Sequence, residues 1–189
     1  MSNLTNTYTE VINGIPIAGT ALNDTATGAV ISTAAQAAIL PINFFNQYAV
    51  NKTLQWTGYG IVSTPSSGPA TLQFIVYADT TIGTANIALA TQTAFTPAVS
   101  LASNIFEVNG WSTVQSYSGT SAEVVSFGVV TLGGASGAAG SSYTFGSATP
   151  VAVTTALSTE YAIELYAKWG SAVSGCTLTC EQWIVQGMN

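Results

Sequence analysis

From Thr53 almost to its last residue the chain alternates apolar and polar side chains with a period of two, interrupted by Gly-, Pro- and Ser-rich punctuation. A strand exposes successive side chains on opposite faces, so this pattern commits the region to half-buried β-strands. Almost no segment holds a helical period long enough for a βαβ crossover, which argues against an α/β fold.

Eight strands are predicted, at 53–63, 71–78, 86–93, 104–117, 121–132, 150–155, 161–169 and 176–186. In the first, Leu54, Trp56, Gly58, Gly60 and Val62 share one face, with Gln55, Thr57, Tyr59 and Ile61 on the other. Leu72, Phe74 and Val76 point inward from the second. In 104–117, Phe106, Val108 and Val114 oppose Ile105, Glu107 and Trp111. Tyr161, Ile163, Leu165, Ala167 and Trp169 oppose Ala162, Glu164, Tyr166 and Lys168, and in the last strand Leu178, Cys180 and Ile184 oppose Thr179, Glu181, Trp183 and Val185. The segment 133–142, GGASGAAGSS, reads as a flexible loop that cannot contribute to a core. Eight antiparallel strands in two sheets is the jelly-roll number. The expected fold is therefore all-β, an antiparallel jelly-roll β-sandwich of about eight strands with an extended N-terminal arm.

Residues 1–38, rich in Thr, Asn, Ala, Gly and Ser, read as that arm, and 39–189 as the jelly-roll domain. The arm is expected to lie along a neighbouring subunit, or else residues 35–42 form a first edge strand, where Pro41 would be tolerated because an edge needs no donor there.

Only 5% of the 189 residues are charged, which leaves little to keep a free monomer soluble, so surface is expected to be buried against copies of the chain or a larger body. The formal net charge of -6 opposes phosphate-backbone binding, and neither nucleic acid nor an anionic membrane is an expected partner. No stretch approaches the ~20 apolar residues that span a bilayer. The opening MSNLTNTYTE has neither the basic nor the apolar region of a secretion signal, so the chain is expected to be made and kept in the cytosol or released by lysis.

Histidine is absent and the basic residues are Lys52 and Lys168, so Ser or Thr nucleophiles have no evident base. Ser126 in VSFGVV lacks the glycines of a nucleophile elbow. Paired carboxylates are the surviving catalytic option, since a glycosidase needs two acids ~5–9.5 Å apart. The candidates are Asp79, Glu107, Glu123, Glu160, Glu164 and Glu181. Glu160 and Glu164 form the one local pair, and four strand residues put them ~13 Å apart; the acids are therefore expected to be solvated or interfacial. Cys176 and Cys180 face the same strand spacing, beyond the ~7 Å limit for a disulfide, and two thiols without other ligands do not make a zinc site. No catalytic, cofactor-binding or metal-binding residue is assigned.

Trp56, Trp111, Trp169, Trp183, Tyr59, Tyr77 and Tyr166 fall on both strand parities, so more than one sheet face should be covered. One is the sandwich interior; the other is a subunit interface or a sugar-stacking platform.

The succession AAQAAILPINFF, AVNKTLQWTGYGIVST, ATLQFIVYADTTIG, NIFEVNGWSTVQSYSG and TEYAIELYAKWGSAVSGCTLTCEQWIVQGMN resembles small structural proteins of tailed bacteriophages, of the head decoration, minor capsid or minor tail type. It covers roughly residues 34–189, and the closing strand–turn–strand unit is its sharpest element. The chain departs from many such proteins in its Cys pair and its scarcity of bases. The resemblance implies a jelly roll like that of tumour-necrosis-factor-like trimers, carried on a virion assembled in the host cytoplasm, with no catalytic residues and no cofactor. The leading expectation is a non-enzymatic decoration (cement) protein, a homotrimer bound to the major capsid or another virion protein. The alternatives are a tail-associated or fibre-tip receptor- or glycan-binding module and a two-carboxylate polysaccharide-cleaving enzyme.

Overall fold

The structure, a computed structural model, describes residues 9–13, 18–19, 21–32, 37–41, 44–45, 50–135, 138–147, 149–154 and 160–188. Those residues form thirteen strands, more than the eight expected, and every ladder between them is antiparallel. In chain order they are β1 (Thr9–Asn13), β2 (Leu22–Asn23), β3 (Ala29–Val30), β4 (Ala38–Leu40), β5 (Thr53–Ser63), β6 (Leu72–Asp79), β7 (Ile87–Thr91), β8 (Asn104–Tyr117), β9 (Ser121–Leu132), β10 (Ser141–Gly146), β11 (Val151–Thr154), β12 (Tyr161–Trp169) and β13 (Thr177–Met188).

One layer runs β1-β13-β5-β8-β9 and the other runs β10-β7-β6-β12, with β3 and β4 on the outer edge of β12. The chain passes back and forth between the layers: β5 lies in the first, the β6–β7 hairpin in the second, β8 and β9 in the first, β12 in the second, β13 in the first. That is jelly-roll connectivity. The β9–β10 hairpin curls across the open side, and Gly146 opposite Thr91 joins the layers into one continuous sheet.

The core follows the sequence parity. Leu54, Trp56 and Val62 of β5 and Phe106, Val108 and Val114 of β8 are buried, as expected. Across the sandwich Phe74 meets Phe106 at 5.3 Å, and Trp183 Nε1 donates to the Ile163 carbonyl at 2.9 Å. Trp56 lies at 5.2 Å from Phe145 and stacks with Trp183 at 6.4 Å. Its indole covers the cross-strand pair Gly110 and Gly128. A Cβ on Gly110 would stand 2.5 Å from the Phe127 carbonyl oxygen and nearer still to Trp56 Cη2, so no larger residue fits without displacing the ring. The buried polar edge of that ring is satisfied in turn: Nε1 donates to Ser112 Oγ at 3.0 Å, and Ser112 Oγ pairs with Ser126 Oγ at 2.8 Å.

Four expectations need correction. In β13 the register slips between Cys180 and Gln182, where Glu181 is an extra residue. The bulge reverses parity beyond it, so Trp183 and Val185 are buried with Leu178 and Cys180, while Ile184 turns outward. Second, 133–142 is not loop throughout: β10 begins at Ser141, and Tyr143 and Ala135 pack against the core. Third, the strict alternation of β12 fails at Ala162 and Glu164, both buried although they sit on the outer face.

Fourth, the described parts of the arm are not a free extension but pair with the chain's own sandwich. β1 pairs with residues 185–188 of β13 and β2 with its start, while β3 and β4 pair with β12. The chain thus straps the edge strands of both layers. Ser32 Oγ accepts from Leu165 N at 2.9 Å, and the strap buries its own Leu22 and Ile31 in the core. Of the expected edge strand at 35–42, β4 accounts for the centre; 35, 36 and 42 fall outside the described residues.

Candidate functional site: an open aromatic sheet face

The outer face of β5-β8-β9 is built by the odd-numbered residues that the core does not use. Cross-strand register sets Ile61 beside Ile105, Tyr59 beside Glu107, and Gln55 beside Trp111. From the other side Phe127 of β9 stands opposite Trp111, and the two rings stack at 5.0 Å with 27° between their planes. Phe127 is 64% exposed and Ile105 66%, whereas Tyr59 and Ile61 are 37% and 38% exposed. Large apolar groups this open on a strand have surrendered the transfer free energy that burial gives, about 1.5–3 kcal/mol for each.

Along β8, Ile105 and Trp111 are ~20 Å apart at the strand rise, so the face carries an aliphatic end and an aromatic end. Between them stand Glu107 and Asn109, whose Oδ1 is buried with no hydrogen-bond partner. The aromatic end borders a hollow of about 470 Å³ lined by Thr53, Trp111, Thr113, Val125, Ser126, Phe127 and Ser147. Its lining has no ionisable group, and Thr53 and Thr113 share a hydroxyl–hydroxyl bond of 2.8 Å on its wall.

The other aromatics named from the sequence divide cleanly. Trp56, Trp169 and Trp183 belong to the core. Tyr77 and Tyr166 meet edge to face at 5.4 Å on the outer face of β6 and β12. Phe127 was missed by sequence reasoning; its parity in 121–132, opposite to that of buried Val124 and Val130, is the signal that would have found it.

Of the candidate acids, Glu107, Glu123 and Glu181 are half-buried and Glu160 is exposed. The structure instead brings together Asp79 and Glu164, a pair that spacing along one strand does not reveal. Ala162 stands opposite Asp79 and Tyr77 opposite Glu164, so the acids are diagonal neighbours on one face. They are 1% and 0% exposed, so within this chain these two of the acids expected to be solvated or interfacial are not solvated. Among the described residues no three Asp, Glu, Cys or His side chains gather into a metal site.

Both cysteines are buried free thiols. Burial pushes the Cys180 thiol up to about 12, against a smaller opposing effect of the Gln182 backbone, and burial also raises Cys176. Neither has the depressed pKa of a reactive nucleophile.

No family model matches the sequence, and no curated protein matches it. Solved structures that it is similar to include peanut lectin with a 9mer peptide, at 10% identity over 97% of this chain and 98% of that one, with a TM-score of 0.43. The CBM2 module of the evolved Dit of Lactobacillus casei BL23 phage J-1 is 11% identical over 81% of this chain and 68% of that one, with a TM-score of 0.36. A Lotus tetragonolobus seed lectin is 7% identical over 100% and 96%, with a TM-score of 0.40. All three are β-sandwiches, but likeness at TM-scores this low carries no argument, and the fold assignment rests on the strand order itself.

Proposed function

We propose that the protein is a non-enzymatic virion component of a tailed bacteriophage, a decoration protein that assembles as a homotrimer through the outer face of β5-β8-β9 and cements the capsid on which it sits. The observation that carries this reading is the open face on which Tyr59, Ile61, Ile105 and Phe127 are exposed together. Exposed apolar patches of this kind mark interaction surfaces, and the buried centres of such interfaces are rich in aromatics and poor in charge. On β5, β8 and β9 the outward charged groups are Glu107 and Glu123, with no base among them. In this reading 39–189 carries the subunit face, and the arm 1–38 closes the sheet edges that would otherwise pair with other chains. The phage setting rests on the sequence resemblance.

The test is the mass of the purified protein in native mass spectrometry, compared with the I105E/F127E variant, followed by co-sedimentation with undecorated capsids. A wild-type trimer, a dissociated variant and loss of capsid binding support the proposal. A monomeric wild type overturns the interface.

The hollow beside Trp111 and Phe127 supports a second reading, a tail-associated glycan binder, because a stacked aromatic slab with a hydroxyl rim suits a neutral sugar ring. Glycan-array binding that is lost in W111A, with the oligomer intact, would favour it over cementing.

A further inference from the structure

The β6–β7 turn has bonds of its own, Thr84 N and Oγ1 to the Thr81 carbonyl and Asn86 Nδ2 to Thr84 Oγ1, and three of its other backbone N–H groups are held by two acids. Asp79 ends β6 and accepts from the backbone of Ala85 at 2.8 Å and of Asn86 at 2.6 Å. Glu164, reaching across from β12, accepts from Gly83 N with both carboxyl oxygens, at 2.9 and 3.2 Å. The ladder makes the two carboxyl groups diagonal neighbours on one face, buried side by side and both turned to the N–H groups of the same turn. Two carboxyl groups buried side by side repel each other when both are ionised, which favours one proton held by the pair.

Among the described residues nothing nearby neutralises a second negative charge. On β6 the other titratable neighbour is Tyr77, and on β12 it is Tyr166. The turn itself, residues 80–86, and β7 contain no ionisable side chain. Glu160 and Asp79 line a hollow of about 320 Å³ beside the turn, which adds another acid and no base. Lys168 lies on the same face of β12 but is exposed and four residues, ~13 Å, along the strand. Lys52 sits over the Phe44 ring.

We propose that Asp79 and Glu164 form a proton-sharing latch that keeps the β6–β7 turn closed while one proton lies between them and frees the turn when that proton is lost to solvent. Burial, and the nearby Asp79 charge, raise Glu164 to about 7, despite the opposing Gly83 bond, so the latch works near neutrality. The turn carries Ile82 at its exposed tip, so opening alters how that side chain and the adjoining hollow are presented. This inference depends on the turn alone, and survives or fails independently of the subunit interface.

Amide exchange of the native protein, followed by NMR and corrected for base catalysis, tests it. Protection of Gly83, Ala85 and Asn86 should fall at least about tenfold between about pH 6 and about pH 8, while amides in β8 hold steady. E164Q, which keeps an acceptor for Gly83 and a permanent donor for Asp79, should abolish that fall. Unchanged protection in the wild type, or an equal fall in E164Q, overturns the latch. Should E164Q fail to fold, the Glu164 carboxyl ¹³C shift in the wild-type chain decides: a midpoint near 7 supports the latch, and one near the ordinary 4.5 overturns it.

Discussion

Replacing Gly110 with alanine adds one methyl group, yet should cost the protein about 2–3 kcal/mol. In most strands the same change stabilises by ~0.4–1 kcal/mol, because alanine has less backbone freedom to lose on folding. Here the new Cβ would lie 2.5 Å from the Phe127 carbonyl oxygen and closer still to Trp56 Cη2. The indole cannot simply retreat, since Ser112 holds its Nε1 at 3.0 Å and the Trp183 and Phe145 rings lie 6.4 and 5.2 Å from it. Overpacking of this kind costs ~1–3 kcal/mol. Pulling Nε1 away from the buried Ser112–Ser126 pair adds ~1–3 kcal/mol for an unmet donor. Taking the low-to-middle part of each range and subtracting the backbone gain leaves the 2–3 kcal/mol stated. For a domain of this size that is a drop in Tm of roughly 5–10 °C, read by near-UV circular dichroism at one fixed protein concentration, since assembly would shift the midpoint. A cycle with W56F localises the cause: the smaller ring removes the clashing atoms, so G110A should cost at least ~1 kcal/mol less in that background. If G110A is neutral or stabilising, the Trp56–glycine packing is not what fixes this residue.

The remaining expectations concern charge and access. Since Glu164 is raised from 4.5 to about 7, the folded state holds more protons than the unfolded one between those values, and stability should fall as pH rises through them. The loss is at most about 3 kcal/mol at ~1.36 kcal/mol per unit, and a urea midpoint higher at pH 8 than at pH 5 would contradict it. Cys180, buried and raised to about 12, should react with a thiol reagent at pH 8 only as fast as the protein opens, and labelling at the rate of a free thiol would refute its burial. Single I105E and F127E substitutions should leave the monomer's stability within ~0.5 kcal/mol while raising the concentration needed for assembly, measured by sedimentation velocity; a large loss of monomer stability would place these residues inside the fold instead.

The strands of this fold were legible where the chain supplies both alternation and punctuation. β5, β8, β9 and β12 fall at their expected bounds because Pro, Gly and Ser clusters stop each apolar run. β10 escaped because Phe145 is its one buried side chain, so half a period of evidence was all the sequence held. The reversal at Glu181 was illegible for a different reason: a bulge is a property of two strands in register, and β5, its partner, carries no mark of it. The Asp79–Glu164 pair shows the same limit. The acids are 85 positions apart in the chain, and only the ladder placing Ala162 opposite Asp79 makes them neighbours. Sequence patterns report which face a residue occupies; they do not report which residue of another strand shares it.

That distinction also separates the two outer faces. On β6 and β12 the outward residues Asp79, Ala162 and Glu164 are buried, with the β6–β7 turn folded onto the two acids and the arm strands β3 and β4 closing the edge of β12. On β5, β8 and β9 the described residues of the arm make no ladder, and Ile105 and Phe127 remain about two-thirds exposed. The covered face therefore buries the pair Asp79 and Glu164, which the turn's N–H groups can satisfy, and the open face exposes Ile105 and Phe127, which no backbone donor can. Apolar groups are stabilised by apolar contact, and in the proposed reading the open face meets another surface of the same chemistry. A sister copy supplies such a surface by symmetry, without requiring any other molecule to have matching chemistry.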